Sequence, residues 1–265
     1  MQTFHLPRTT FSATHIPASD GSVIGELPHP FPSPDGRGEG VRAAWQDILF
    51  VVAAFAVSFS ASAAEPGWQY SVTLTSDYVF RGISQTDNHP AAQGEVIWRH
   101  HGGFYAGGFL TTQDIPNTDT HARADAFAGV SGEDESGLRF DAGGRAYSNA
   151  FVSPGQTRDF FWELYGTIGY AFADFTLAHD FDHQDSYAKL AFNWDVGSGV
   201  RVDAHAGRYF LRGDTGFADD YNDYRVAASK TFGSLDASIA LTYSDQDPGT
   251  DLNDAIFVLA GTYRF

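Results

Sequence analysis

From Trp68 to the C-terminus the apolar residues of this chain recur at every second position. Leu235, Ala237, Ile239, Leu241 and Tyr243 alternate with Asp236, Ser238, Ala240, Thr242 and Ser244. Ala188, Leu190, Phe192, Trp194 and Val196 alternate with Tyr187, Lys189, Ala191, Asn193 and Asp195, and Phe160, Trp162, Leu164, Ile168 and Tyr170 share one face opposite Glu163, Tyr165 and Thr167. Successive side chains of a strand point to opposite faces, so this period of two predicts strands with differently solvated faces. Twelve segments follow it: 68–80, 91–100, 103–113, 121–131, 137–148, 158–172, 174–182, 186–196, 200–211, 221–232, 234–244 and 254–265. A content of 28 Gly, 23 Phe, 12 Tyr and 5 Trp against one Met suits short aromatic strands better than packed helices.

Such alternation fits a membrane barrel with apolar side chains outward, and equally a soluble sandwich or lipocalin-like barrel with them inward. Connection lengths favour the first. Short turns at 101–102, 131–136, 173–174, 197–199 and 233 alternate with longer polar loops at 81–90, 114–120, 149–157, 183–185, 212–220 and 245–253. Short turns on one side and long loops on the other are the asymmetry of bacterial outer-membrane barrels. The chain ends Phe257, Leu259, Tyr263, Phe265 on one face, an aromatic-terminated strand similar to the signal read by the barrel-assembly machinery, with Ala260 where that signal usually has Gly. The expected fold is an all-β, antiparallel, up-and-down transmembrane β-barrel of about 12 strands over residues 65–265.

The N-terminal part reads differently. Residues 1–40 are rich in Pro, Gly, His and Ser and show no periodicity, which predicts a disordered leader. From 41 to 64, a basic start at Arg42, the apolar run Ile48–Val57 and the small residues Ala61-Ser62-Ala63-Ala64 form the pattern of a secretory signal peptide. With Met1 the single methionine, Val41 would serve as an alternative start, making 1–40 untranslated sequence.

Composition excludes several functions. With 16 Lys+Arg against 33 Asp+Glu and a net charge of −17, phosphate-neutralising nucleic-acid binding is excluded, and the absence of Cys rules out thiolate chemistry and Cys-ligated metal. No G-x-S-x-G occurs, so no catalytic residue and no cofactor is assigned. Two motifs invite a metal reading. In His179-Asp180-Phe181-Asp182-His183 a strand would put the His and the Asp residues on opposite faces, and Asp245-x-Asp247-x-Gly249-x-Asp251 lacks the closing Glu of a calcium loop, so neither is assigned a metal.

The charges opposite the apolar face are Asp77, Arg81, Glu95, Arg99, Arg123, Asp125, Arg139, Asp141, Arg145, Glu163, Lys189, Asp195, Arg201, Asp203, Arg225 and Asp236. Eight of each sign are interleaved, which predicts a paired network in a narrow lumen. These residues either line a polar pore or brace and plug the barrel. The polar stretch 81–88 either folds inward as a constriction or forms a capped turn. Arg208 and Lys230 fall on the lipid face near strand ends, where long side chains snorkel.

The stretch Ser76-Asp77-Tyr78-Val79-Phe80-Arg81-Gly82-Ile83-Ser84-Gln85-Thr86-Asp87-Asn88-His89-Pro90-Ala91-Ala92-Gln93-Gly94 resembles the most distinctive block of the TorF family of outer-membrane porins. Gly103-Phe104-Tyr105-Ala106-Gly107 resembles the second block, and Tyr221–Gly233 with Leu241–Asp245 the C-terminal part. The resemblance spans the exported chain and implies outer-membrane location, lipid as surroundings and passive transport of small hydrophilic solutes or ions. The alternative carried forward is a non-conducting barrel with a structural or adhesive role.

Overall fold

The computed structural model describes residues 66–114, 120–152, 160–212, 220–246 and 255–265. The leader and signal assignments over 1–64 lie outside these residues, as does the loop 247–254 with most of the calcium-like motif.

Twelve strands close into one antiparallel barrel. They are β1 (Gly67–Thr75), β4 (Ala91–Arg99), β5 (Phe104–Thr112), β6 (Thr120–Glu133), β7 (Leu138–Val152), β8 (Phe160–Tyr170), β9 (Ala173–Asp180), β10 (Ser186–Gly197), β11 (Val200–Phe210), β12 (Tyr221–Phe232), β13 (Leu235–Ser244) and β14 (Ile256–Arg264). Two short strands, β2 (Val79–Phe80) and β3 (Ile83–Ser84), pair with each other apart from the barrel. Each barrel strand pairs with its neighbours in sequence, and β1 closes the ring on β14 with Ser71 opposite Arg264 and Thr75 opposite Ala260. Closure leaves no sheet edge with unpaired N–H and C=O groups, which is what a β-structure in hydrocarbon requires.

Both described ends of the chain lie at the end of the barrel that carries the short turns, 100–103, 134–137, 171–172, 198–199 and 233–234. The long connections gather at the other end. The expected alternation of turn and loop lengths is therefore present, with boundaries shifted by a few residues. One shift matters. The segment expected to run as a strand to Phe80 leaves the barrel wall at Thr75, so Asp77 is not a wall residue.

The outward positions form two aromatic bands. Trp68, Trp98, Phe104, Tyr170, Phe172, Trp194, Phe232 and Tyr263 project near the turn end, and Phe160, Trp162, Phe210, Tyr224, Tyr243 and Phe257 near the loop end. Leu74, Leu190, Val226, Ile239, Leu241 and Leu259 fill the belt between them. All of these are exposed to the surroundings, and an aliphatic belt between aromatic girdles matches the profile of a bilayer and its two interfaces. Lys230 projects near the turn end beside Phe232, and Arg208 near the loop end, where it pairs with Asp220 at 3.2 Å.

Inside, packing relies on rings laid across glycines of the adjacent strand. A Cβ added at Gly207 would stand 2.1 Å from the Tyr187 hydroxyl and 2.3 Å from Asp223 Oδ2, and one at Gly143 would stand 2.6 Å from the Tyr165 hydroxyl. A narrow barrel has room for large inward side chains only where the facing position is empty. Replacement of Gly207 by Ala should cost about 1–3 kcal/mol by overpacking. The check is the shift to lower urea of the unfolding midpoint of the refolded barrel.

Candidate functional site

Fourteen of the sixteen charged residues singled out in the sequence sit on the inward face of barrel strands, opposite the exposed apolar side chains. They are Glu95, Arg99, Arg123, Asp125, Arg139, Asp141, Arg145, Glu163, Lys189, Asp195, Arg201, Asp203, Arg225 and Asp236, as the register Asp125 to Tyr147, Arg145 to Glu163 and Asp195 to Arg201 requires. The remaining two, Asp77 and Arg81, reach the lumen by another route.

That route is the connection 76–90. It turns inward at the loop end, and Tyr78, Phe80, Arg81, Ile83, Ser84, Gln85 and Thr86 are all at most 5% exposed. The hairpin β2–β3 reverses at Arg81-Gly82, with φ of 43° and 82°. Positive φ at both central residues is the two-residue turn that matches strand twist, tolerated freely by Gly and at some strain by Arg. A Cβ on Gly82 would lie 2.8 Å from Ser244 Cβ and 2.9 Å from Asp223 Cβ, so the tip is seated against β12 and β13. The strap springs from β1 and β4, its tip rests on β12 and β13, and Arg81 reaches across to Glu163 on β8. The inward alternative for 81–88 is the one adopted.

The strap is bonded mainly to itself, with a smaller set of bonds to the barrel. Asp77 Oδ1 accepts from Ser84 Oγ at 2.7 Å and Thr86 Oγ1 at 2.8 Å, while the Tyr78 carbonyl accepts from the Gln85 amide at 2.7 Å. The Gln85 carbonyl accepts from the Asp114 amide at 2.9 Å. Arg81 Nη2 donates to Glu163 Oε2 at 2.6 Å, and its guanidinium lies over the rings of Tyr187 and Tyr209 at 4.2 and 4.7 Å. Two buried polar atoms of the strap, Asp77 Oδ2 and Arg81 Nε, have no hydrogen-bond partner among the described residues.

Beneath the strap the wall charges form a chain. Tyr147 donates to Glu163 Oε1 at 3.1 Å, and Arg123 holds Asp125 with two bonds of 2.7 and 2.9 Å while lying over the Tyr147 ring. Arg145 approaches the same carboxylate at 3.6 Å. Across the lumen, Asp223 accepts from the Tyr187 hydroxyl at 3.0 Å and contacts His205 Nε2 at 2.8 Å. Nearer the turns Arg139 pairs with Asp174 at 2.8 Å, Arg225 with Asp203 and Arg264 with Asp236. The charges beneath the strap are buried and persist because each has a partner, whereas the pairs nearer the turns are partly exposed.

The expected paired network thus exists, but four of its members, Asp174, His205, Asp223 and Arg264, are not among the residues singled out in the sequence. Asp174, expected in the turn 173–174, stands in β9. His205, Asp223 and Arg264 are at inward positions that the same parity rule could have marked. The reading of His179 to His183 as a strand is corrected: β9 ends at Asp180, and the chain then turns so that His183 Nδ1 meets Asp180 Oδ2 at 2.6 Å. Among the described residues no group of three or more His, Asp and Glu is arranged to hold a metal ion.

Burial pushes the Asp77 carboxyl above the usual carboxylate range, outweighing the lowering by Ser84, Thr86, the Tyr78 amide and nearby His89. A raised pKa in the seated strap makes its stabilisation complete below the unfolded value of about 4 and lost as pH rises through the seated value. Protection of the Gln85 amide from hydrogen exchange, corrected for intrinsic rates, should therefore be greater at about pH 4 than at about pH 7. In Asp77→Asn that difference should vanish.

The sequence over residues 60–260 matches the family model described as bacterial protein of unknown function (Gcw_chp). No curated protein matches the chain. Among solved structures, similarity is found to the KdgM porin, at 7% identity and a TM-score of 0.48 over 75% of this chain and 97% of that one. It extends to OpdK of Pseudomonas aeruginosa, at 10% identity and 0.42 over 77% and 67%. OccAB3 of Acinetobacter baumannii matches at 10% identity and 0.41 over 77% and 66%. With three quarters of its length in that one match, this twelve-stranded barrel belongs to the Gcw_chp family of bacterial proteins.

Proposed function

We propose that the protein is an outer-membrane channel for passive diffusion of small hydrophilic solutes or ions, closed at its outer half by the strap 76–90. The observation that carries this reading is the strap itself. It fills the lumen with a hairpin that holds Arg81 in the left-handed region, and two of its buried polar atoms have no hydrogen-bond partner among the described residues. A permanent plug gains nothing from such strain, whereas a removable one must be held weakly enough to leave. The apolar outer wall and the resemblance of Ser76–Gly94 to the TorF porins support the location, and the signal-like segment 41–64 supplies the export route.

On this reading the sixteen charged residues named above, with Asp174, His205, Asp223 and Arg264, line the path, and their near balance of sign imposes no strong ion preference. The solute crosses unchanged, so the chain acts as a conduit and not as an enzyme. Its surroundings are outer-membrane lipid. The assembly machinery would take hold of the strand that ends at Phe265, whose amide donates to the Tyr70 carbonyl at 3.1 Å as the ring closes. Deletion of Phe265 should slow insertion in cells while leaving refolding into detergent intact, measured by heat-modifiable gel migration of both samples.

The second reading, a non-conducting structural barrel, is favoured by the buried ion pairs beneath the strap. Planar-bilayer recording of refolded residues 64–265 separates the two. Brief small openings are expected from the native protein and larger, sustained steps after residues 79–86 are replaced by a short Gly-Ser linker. Silence from both, with folded barrels demonstrated on gels, would establish the structural reading.

A further inference from the structure

The wall that receives the strap is chemically more specific than a plug needs. Three wall residues from different strands, Glu163 on β8, Tyr187 on β10 and Tyr209 on β11, converge on one planar cation. Tyr187 is 4% exposed, Tyr209 9% and Glu163 7%. Tyr147 orients the carboxylate through its 3.1 Å bond to the oxygen that Arg81 does not use. Flat tyrosine faces beside a carboxylate match a guanidinium, which stacks and bonds in one plane, better than a spherical ammonium. We propose that Glu163, Tyr187 and Tyr209 form a binding site for guanidinium-bearing cationic solutes, occupied in the closed barrel by Arg81 as a tethered surrogate that such a solute displaces. This deepens the channel reading and rests on it.

Three features make Arg81 a replaceable occupant. It donates to Glu163 through a single bond although a guanidinium and a carboxylate can share two. Its Nε is buried without a hydrogen-bond partner among the described residues. It also sits at φ 43°, a conformation that strains a residue with a Cβ. A free guanidinium solute escapes all three constraints, having no turn to satisfy and freedom to lie in the carboxylate plane.

The wall in turn cannot be left empty at low cost. Withdrawal of Arg81 exposes a desolvated Glu163, and Asp180 and Asp185 lie within electrostatic range of Tyr209 in the same region. Of these, Asp180 already holds His183. A buried carboxylate that loses its partner is strongly unfavourable, so departure of the strap is coupled to arrival of another cation. Binding of the solute and opening of the lumen are then one equilibrium, with the solute as the ligand that favours the open state.

Agmatine, an alkylguanidinium, and putrescine, which carries ammonium groups alone, are the probes. In bilayers holding the native protein, agmatine should raise open probability saturably, with putrescine at least tenfold less effective at equal concentration. Arg81→Gln should conduct without agmatine and bind it about tenfold more tightly by calorimetry in micelles, because the internal competitor is gone. Glu163→Gln or Tyr187→Ala placed in that background should each weaken agmatine binding about tenfold. Folding of every variant is checked by heat-modifiable migration. Agmatine binding that is unchanged in Arg81→Gln, or indifferent to Glu163→Gln, overturns the proposal while the conductance of the strap-replaced barrel still supports a channel. If that barrel is silent the channel reading fails, and the calorimetry alone still decides whether the site takes a guanidinium.

Discussion

Every backbone N–H and C=O that faces hydrocarbon must find a partner within the protein, and a sheet meets this demand only by closing on itself. Here the demand is met where β1 pairs with β14 on one side and with β4 on the other. All else follows from that closure. A ring of twelve strands lies between the eight-stranded barrels filled by their own side chains and the sixteen-stranded open porins, so what the inward face carries must be accommodated among neighbours. The glycines at 129, 143 and 207 give way to the rings of Tyr105, Tyr165 and Tyr187 for this reason.

The same confinement makes the charges informative. Carboxylates and guanidinium groups in a narrow lumen interact through little water, so their pairing is strong and the loss of one partner is costly. The protein uses this twice over. Along the wall, Arg123, Asp125 and Arg145 form a fixed brace. At Glu163 the wall carboxylate is satisfied by a residue that belongs to a connection and not to the wall. Fixed pairs stiffen the barrel, whereas the pair between Arg81 and Glu163 joins a removable element to a rigid one. On the proposed reading, closure of the lumen depends on an interaction that another cation can take over.

Much of the wall was legible in the sequence because inside and outside alternate with a fixed period, and one register error would have inverted every assignment. The fourteen wall charges fell on the inward side by this rule alone. What the rule did not supply is who meets whom. Arg123 pairs with Asp125 two residues along its own strand, a contact open to any reader of the sequence, but Arg139 pairs with Asp174 and Asp223 with His205 across strands whose relative stagger is set by the closed ring. Asp77 and Arg81 share the polar character of the wall residues, and nothing in their local pattern says that the wall ends at Thr75.

Alternation of apolar and polar side chains, turn and loop lengths, and the aromatic-terminated last strand point by themselves to an up-and-down antiparallel barrel with an apolar exterior and a charged lumen. These are properties of residues and their immediate neighbours, and strand periodicity transmits them directly. Only the tertiary structure decides that the connection 76–90 turns into the barrel, that Gly82 seats against Ser244 and Asp223, and that Arg81 meets Glu163 eighty-two residues away. The physical reason is that a loop of mixed polarity is as well solvated outside a barrel as it is paired inside one. The balance is set by a tyrosine-lined carboxylate assembled from separate strands, which exists only once the ring has closed.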